Sequence, residues 1–280
     1  MNRNVLITGC SSGIGLCVAK GLKERGYKVF ASARKESDVA MLRELGFTAL
    51  RLDLDDSTSI RDAFEEMMLR TGGKIYGLFN NGAYGQPGAV EDLSRDVLRA
   101  QLETNLLGWH ELTKLVLPVM RLQGEGRIIQ NSSILGFITM PYRGAYNCSK
   151  FALEGLTDTL RLELHGSGIH VSLIEPGPIS SRFRDNAYLK YKQNIDTEMS
   201  KHAAQYQAME SRLAKEGDAT PFTLPPEAVL KKVIHALESK KPKARYYVTF
   251  PTYLFGYLKR ILPTAVLDSM LRKASGDGAR

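Results

Sequence analysis

Tyr146 and Lys150 lie four residues apart, and the apolar residues after them (Phe151, Leu153, Leu156, Leu160) recur at helical spacing. Residues i and i+4 of a helix share one face, so a phenol and an ammonium stand side by side. A free tyrosine, with a pKa of about 10, is a poor base at neutral pH. A neighbouring cation favours the phenolate and lowers that value, which turns the pair into an acid–base device. Ser133 precedes Tyr146 by thirteen residues and offers a hydroxyl to hold a substrate oxygen. By itself, Tyr-x-x-x-Lys is also an ordinary pattern on a solvated helix, so its meaning rests on the rest of the chain.

The elements around this pair alternate. Strands are predicted at Asn4–Ile7, Lys28–Ser32, Thr48–Leu52, Gly77–Asn80, Arg127–Asn131, His170–Ile174 and Tyr246–Thr249. Helices are predicted at Leu16–Arg25, Asp38–Leu45, from an N-cap at Ser57 to Thr71, from a cap at Ser94 through Asn105 to before Gly124, over the Tyr146 stretch to Leu164, and at Glu227–Ser239. Strand–helix alternation means βαβ units, so the expected fold is α/β: a Rossmann-type doubly wound parallel sheet of about seven strands with helices on both faces. Ligands of such sheets sit beyond the carboxyl ends of the strands. No linker, repeat or low-complexity tract divides the chain, so residues 1–280 read as one domain. The polar stretch 181–224 breaks the alternation and could cover a pocket.

Thr8-Gly9-Cys10-Ser11-Ser12-Gly13-Ile14-Gly15 follows the first strand and opens a helix. Glycines let the backbone approach a pyrophosphate, and the helix start supplies N–H groups and positive dipole. A ligand-free tight turn is the competing reading, and a glycine pattern alone is weak. An NAD site usually carries an acid at the end of the second strand, for the ribose hydroxyls. Here that end reads Ala31-Ser32-Ala33-Arg34-Lys35, with no carboxylate before Glu36. Arg34 and Lys35 would attract a 2′-phosphate, which favours NADP (NADPH) over NAD. Asp53, beside Leu54, either accepts from an adenine amino group or caps its own turn. Asn80-Asn81-Gly82-Ala83 can tie its loop together and line the cofactor, or simply make a turn.

Composition narrows the function classes. The 280 residues are 43% hydrophobic and 24% charged, enough for an ample core. The net charge of +8 raises nucleic acid as a partner, but no basic run is interleaved with stacking aromatics, so none is expected. Three cysteines without paired spacing suggest neither disulfides nor zinc and fit a reducing cytoplasm. Cys148 sits at i+2 from Tyr146, off the shared face, and reads as a buried or inert thiol rather than a nucleophile. His165 and His170 flank a turn without a third ligand, so no metal site is expected. A strand starting at Asn4 leaves no room for a signal peptide, and no apolar run reaches the ~20 residues needed to span a bilayer.

Together these motifs resemble the short-chain dehydrogenase/reductase family. The resemblance is carried by Thr8-Gly9-x-x-x-Gly13-x-Gly15, Asn80-Asn81, Asn105, Ser133, Tyr146-x-x-x-Lys150 and Pro176-Gly177, in the family's order over about residues 4 to 181. The runs Ser149-Lys150-Phe151-Ala152-Leu153-Glu154-Gly155 and Ser172-Leu173-Ile174-Glu175-Pro176-Gly177-Pro178 are similar to hydroxysteroid and retinol dehydrogenases and to bacterial NADP-dependent aldehyde reductases. The resemblance implies that Tyr146 is the acid in reduction and the base in oxidation. Lys150 would hold the nicotinamide ribose and lower the Tyr146 pKa, and Ser133 would bond the substrate carbonyl. Asn105 would position a water that relays protons to Lys150. Pro176, Gly177, Ile179 and Ser181 would lie by the nicotinamide carboxamide. Two departures stand out: the family usually reads Asn-Asn-Ala-Gly where this chain has Asn80-Asn81-Gly82-Ala83, and Ser181 replaces a frequent Thr.

The resemblance also implies a pocket built from the loop after the fifth strand and the cover after Ser181. Phe137, Ile138, Met140, Phe183, Tyr188 and Leu189 would line it and suit a small apolar carbonyl or alcohol substrate; ordinary core is the competing reading. The expected activity is reduction of apolar aldehydes or ketones to alcohols. The alternatives are a hydroxysteroid or retinol dehydrogenase working in oxidation and a non-catalytic dinucleotide-binding regulator. A homo-oligomer is expected. The stretch 251–273 pairs Tyr253, Leu254, Phe255, Tyr257, Leu258, Ile261 and Leu262 with Lys259 and Arg260. It could be an amphipathic helix in weak contact with a membrane surface, making the cytoplasmic protein peripheral, or it could pack on its own domain or a partner subunit.

Overall fold

The computed structural model describes residues 3–214, 217 and 221–276. In chain order it runs β1 (Asn4–Ile7), α1 (Gly13–Glu24), β2 (Lys28–Ala33), α2 (Glu36–Glu44), β3 (Thr48–Arg51), α3 (Ser57–Thr71), β4 (Gly77–Asn80), α4 (Arg95–Leu102), α5 (Gly108–Gln123), β5 (Gly126–Asn131), α6 (Gly144–Glu163), β6 (Ile169–Glu175), α7 (Phe183–Asn194), α8 (Ala203–Leu213), α9 (Glu227–Glu238), β7 (Arg245–Tyr247), α10 (Phe250–Ile261) and α11 (Thr264–Ser275). The strands form one seven-stranded parallel sheet in the order β3-β2-β1-β4-β5-β6-β7. The chain winds outward from β1 to β3, then returns beside β1 and winds the other way. The switch point between β1 and β4 opens a crevice beyond the strand ends.

Alternation of side chains along each strand feeds two apolar layers. Val5 and Ile7 face α1, α2 and α9 through Val18, Leu22, Val39, Val229 and Val233. Leu6 faces α3, α5 and α6 through Ile60, Met67, Trp109, Leu112 and Leu153. Leu6 is fully buried, so truncation to alanine costs ~2–5 kcal/mol. Both faces covered is what a parallel sheet requires, because its strands are apolar on both sides.

Most element boundaries fall within two residues of those expected. The helix at residue 57 starts differently: Asp56 is the N-cap, its side chain accepting from the Thr58 N–H at 2.8 Å. Ser57 is already the first helical residue, and its hydroxyl donates to Glu111 at 2.6 Å. Ser94 does cap α4, accepting from the Val97 N–H. Within 181–224, the stretch expected to cover a pocket, the described residues form two helices, α7 and α8; residues 215, 216 and 218–220 lie outside the described residues. Tyr191, Tyr206, Met209 and Leu213 pack these helices onto Ala89 and Ile195. The stretch 251–273 is not one helix but two, α10 and α11, broken at Leu262–Pro263. Among the described residues no helix is long and apolar enough to cross a membrane.

Candidate active site

The glycine turn joins β1 to α1 at the switch point. Gly9 has φ +69°, and a Cβ there would stand 2.6 Å from the Gly82 Cα, so only glycine lets the two loops meet. Gly13, with φ +54°, faces Ser181, whose Cβ is 2.9 Å from where a side chain would start. Gly15 packs on the Gly9 carbonyl. Ser11, Ser12 and Ile14 complete the half-buried turn. Ser12 is the N-cap of α1 but makes no side-chain cap, which leaves first-turn N–H groups for an anionic ligand. The crevice beside it, ≈ 810 Å³, is lined by Ser12, Gly13, Ser181, Arg182, Tyr188 and Leu189 among others. This uncapped, glycine-floored cradle fits a dinucleotide pyrophosphate.

Asn81 binds three loops into one body. Its side chain donates to the Thr8 and Gly9 carbonyls at 3.0 and 3.2 Å and accepts from Asn131 at 2.9 Å. The Thr8 hydroxyl accepts from the Asn81 and Gly82 N–H groups. The inverted Gly82-Ala83 order is accommodated here: Gly82 is the residue that Gly9 approaches, and its carbonyl accepts from the Trp109 indole at 2.8 Å. Leu54 packs on Gly82, and its carbonyl is approached by Gly108. Asp53 follows its turn-capping reading, since Oδ1 accepts from the Asp55 N–H at 3.2 Å. Arg34 and Lys35 are exposed at the end of β2. Glu36, the first acid after them, faces Arg51 at 3.5 Å. Pro176 and Gly177 leave β6; the Pro176 carbonyl accepts from Ile134, and Gly177 sits against Thr249 and Thr252. Ile179 pairs with Leu224, and the Ser181 hydroxyl donates to the Ile179 carbonyl.

The four polar candidates converge from different elements. Tyr146 and Lys150 share the buried face of α6, at 8% and 1% exposure. The Lys150 Nζ is 5.7 Å from the centre of the Tyr146 ring, 4.2 Å from that of Trp109, and donates to the Asn131 carbonyl at 2.8 Å. Ser133, just past β5, accepts from the Leu135 N–H and lies near enough to the Tyr146 phenol to favour its ionised form. Asn105 lies in a π-helical turn, Glu103–Leu107, between α4 and α5. Such turns are frequent at functional sites. Its amide clasps the Tyr84 backbone and the Ser149 hydroxyl. Cys148 is exposed rather than buried, because position i+2 points off the shared face.

The electrostatics reverse one expectation. The Tyr146 phenol is not lowered; burial pushes it up to about 12, against a smaller lowering by the nearby Ser133 hydroxyl. Lys150 is desolvated as well, its pKa pulled down to about 7 by burial, with Glu154 acting the other way. At neutral pH the phenol keeps its proton and is a donor.

The pocket lining divides. Phe183 crosses the Tyr146 ring at 5.3 Å, and Tyr188 and Leu189 line the crevice. Phe137, Ile138 and Met140 pack with Phe255 and Leu271 under the C-terminal helices.

Two groups escaped the sequence reading. Trp109, the chain's only tryptophan, lies beneath the Lys150 amine. Arg245 on β7 is clasped by Glu154, Asp158 and Glu175. Tyr146, Lys150, Glu154 and Asp158 recur every four residues, a signal that α6 carries one continuous polar face.

Sequence relationships agree with this geometry. The model of the family described as short chain dehydrogenase matches residues 3–192. The chain is 45% identical to the oxidoreductase YbbO of Escherichia coli K12, over 97% of this chain and 95% of that one. It is 33% identical to the NADPH-dependent 3-dehydrocapnine reductase of Ornithobacterium rhinotracheale, over 97% and 96%. Its fold matches a short-chain dehydrogenase from Streptomyces avermitilis with a TM-score of 0.76 at 24% identity, over 99% and 98%. A parallel sheet switching at β1, a glycine cradle and a buried Ser–Tyr–Lys cluster thus coincide with full-length sequence kinship, and the chain belongs to the short-chain dehydrogenase family of oxidoreductases.

Proposed function

We propose that the protein reduces apolar aldehydes or ketones to alcohols with NADPH. The observation that carries the reading is the burial of Tyr146 and Lys150 on one face of α6, the amine 5.7 Å from the centre of the phenol ring, with Ser133 beside the phenol. NADPH supplies the hydride when bound. The turn from Thr8 to Gly15 would hold its pyrophosphate, and Arg34 and Lys35 its 2′-phosphate. Glu36 does not compete there, being drawn to Arg51. A relative named for NADPH dependence supports the same cofactor. Ser133 orients the carbonyl oxygen, and Tyr146 gives that oxygen its phenolic proton as the C–H bond forms. Lys150, poised near neutrality, recharges the phenol, and Phe183 keeps bulk water off the Tyr146 ring.

The test follows absorbance loss of NADPH over a panel of aldehydes and ketones. Tyr146→Phe is expected to lower turnover about 10²–10⁴-fold with cofactor binding intact. Wild-type turnover in that variant overturns the mechanism. Arg34→Asp is expected to shift preference toward NADH; tighter binding of NADH than NADPH by the wild type overturns the cofactor reading.

A further inference from the structure

Helix α10 is apolar on two sides. Its inner side (Thr252, Phe255, Gly256) is buried against the loop after β5 and against α11. Its outer side carries Phe250, Tyr253, Leu254, Tyr257 and Ile261, spaced by three and four residues on one stripe. These five are open to solvent, from 38% at Leu254 to 73% at Ile261. The stripe is about 16 Å long. Phe222 lengthens it at one end, 57% exposed with its ring 5.2 Å from that of Phe250. A row of large apolar groups in water marks an interaction surface.

Charge identifies the occupant. Helix α10 carries no acid and ends in Lys259, whose amine donates to the Phe137 carbonyl, and in the exposed Arg260. The neighbouring α11 adds exposed Arg272 and Lys273. From Ser239 to Ser275 the chain has eight Lys or Arg and a single acid, Asp268. A two-fold contact between copies would set this acid-free helix against itself, leaving its basic residues without carboxylates on the facing helix to pair them. A bilayer bearing anionic headgroups answers both features: acyl chains take up the phenyl, leucine and isoleucine groups, the tyrosines sit at headgroup level, and the basic ends meet negative charge. We infer that the outer stripe of α10, with Phe222, docks the protein on an anionic membrane surface. The inner side meanwhile holds the helix to its own domain, so docking needs no refolding. The docked stripe starts beside the crevice, since Thr249 and Thr252 at the head of α10 abut Gly177. This inference stands apart from the reaction proposed above.

The experiment is co-sedimentation of the full-length protein with vesicles. One set is phosphatidylcholine alone, and the other contains about one third phosphatidylglycerol. Binding to the second set is expected, weakening as salt rises. Leu254→Glu with Tyr257→Glu is expected to lower that binding at least tenfold, and Arg260→Gln about fivefold. Both variants leave the crevice untouched, so unchanged far-ultraviolet circular dichroism and unchanged turnover of a water-soluble carbonyl show that the fold survives. Absent binding, equal binding to both vesicle sets, or full binding by the double variant overturns the inference. So does light scattering in which the double variant splits a wild-type oligomer, because a second copy would then cover the stripe.

Discussion

Lys150 and Arg245 are two cations withdrawn from water along one face of α6, and their surroundings differ in kind. Lys150 meets a single carbonyl, an indole face and a phenol ring. Arg245 meets three carboxylates, from Glu154, Asp158 and Glu175. Burial lowers the affinity of both for their protons. For Lys150 little offsets it, and the amine falls to about 7. For Arg245, Glu154 and Glu175 outweigh burial, and its pKa rises instead. The lesson is that compensation fixes a charge in place, whereas its absence leaves a proton able to move. The amine is equipped to exchange protons near neutrality; the guanidinium is equipped to hold β7 against α6.

The largest expected effect tests the amine. Lys150→Met is expected to lower turnover about 10²–10⁴-fold while making the cofactor-free protein more stable to urea. The sign follows from the lowered pKa. Below about 7 the amine is charged in both folded and unfolded chains, and folding bears the whole desolvation cost. Between about 7 and the ordinary 10.5 the folded amine sheds its proton and that cost fades. The gain in the variant is therefore greatest below about 7 and shrinks as pH rises. A destabilised variant would erase the contrast with Arg245.

Arg245→Met comes next. It leaves Glu154 and Glu175 buried without a cation, so a loss of ~3–5 kcal/mol in urea unfolding is expected, with turnover changed less than about tenfold. A tenfold or greater fall in turnover at unchanged stability would move Arg245 into the catalytic group.

Glu175→Gln sharpens the same contrast more gently. The Glu175 carboxyl is pushed up, first by burial and then by the Glu154 charge. As pH climbs from the ordinary carboxylate range toward neutrality the unfolded chain sheds this proton while the folded chain holds it, so wild-type stability falls over that interval. The variant is expected to flatten that slope and gain on the order of 1–2 kcal/mol at neutral pH, read from unfolding at a series of pH values. An unchanged slope would show that Arg245 fully neutralises the site.

Trp109→Phe has the smallest expected effect. A weaker ring under the ammonium destabilises its charged form by under ~1 kcal/mol, which shifts the Lys150-linked limb of the pH–rate profile to lower pH by less than about one unit. A shift to higher pH would mean that the indole acts through its bond to Gly82 and not through its face.

What could be read from the sequence follows the range of the forces involved. Strands β1 and β4 and the turn from Thr8 to Gly15 were legible because a short, continuously buried apolar run and glycine requirements are local. The Tyr146–Lys150 face was legible because one helix carries both residues. The Trp109 stack and the Arg245 clasp join residues far apart in the chain, and no spacing announces them. The raised phenol was missed for the same reason: charge adjacency shows in a pattern, but the depth of burial that overrides it does not. The helices of 181–224 escaped because α7 buries only Ala187 and Tyr191, too few residues to leave an apolar rhythm. The break at Pro263 that separates α10 from α11 went unread in the stretch 251–273, although a proline interrupts a helix locally.

Asn81 has a consequence for how the protein senses its ligand. From the carbonyl of Gly9, through two asparagine amides, to the amine of Lys150 there are only three hydrogen bonds, and each intermediate side chain is short. A displacement of the glycine turn therefore reaches the Lys150 nitrogen through short side chains, without crossing a flexible loop. Asn81, which touches neither the phenol nor the amine, is the link whose loss would separate the turn from that nitrogen.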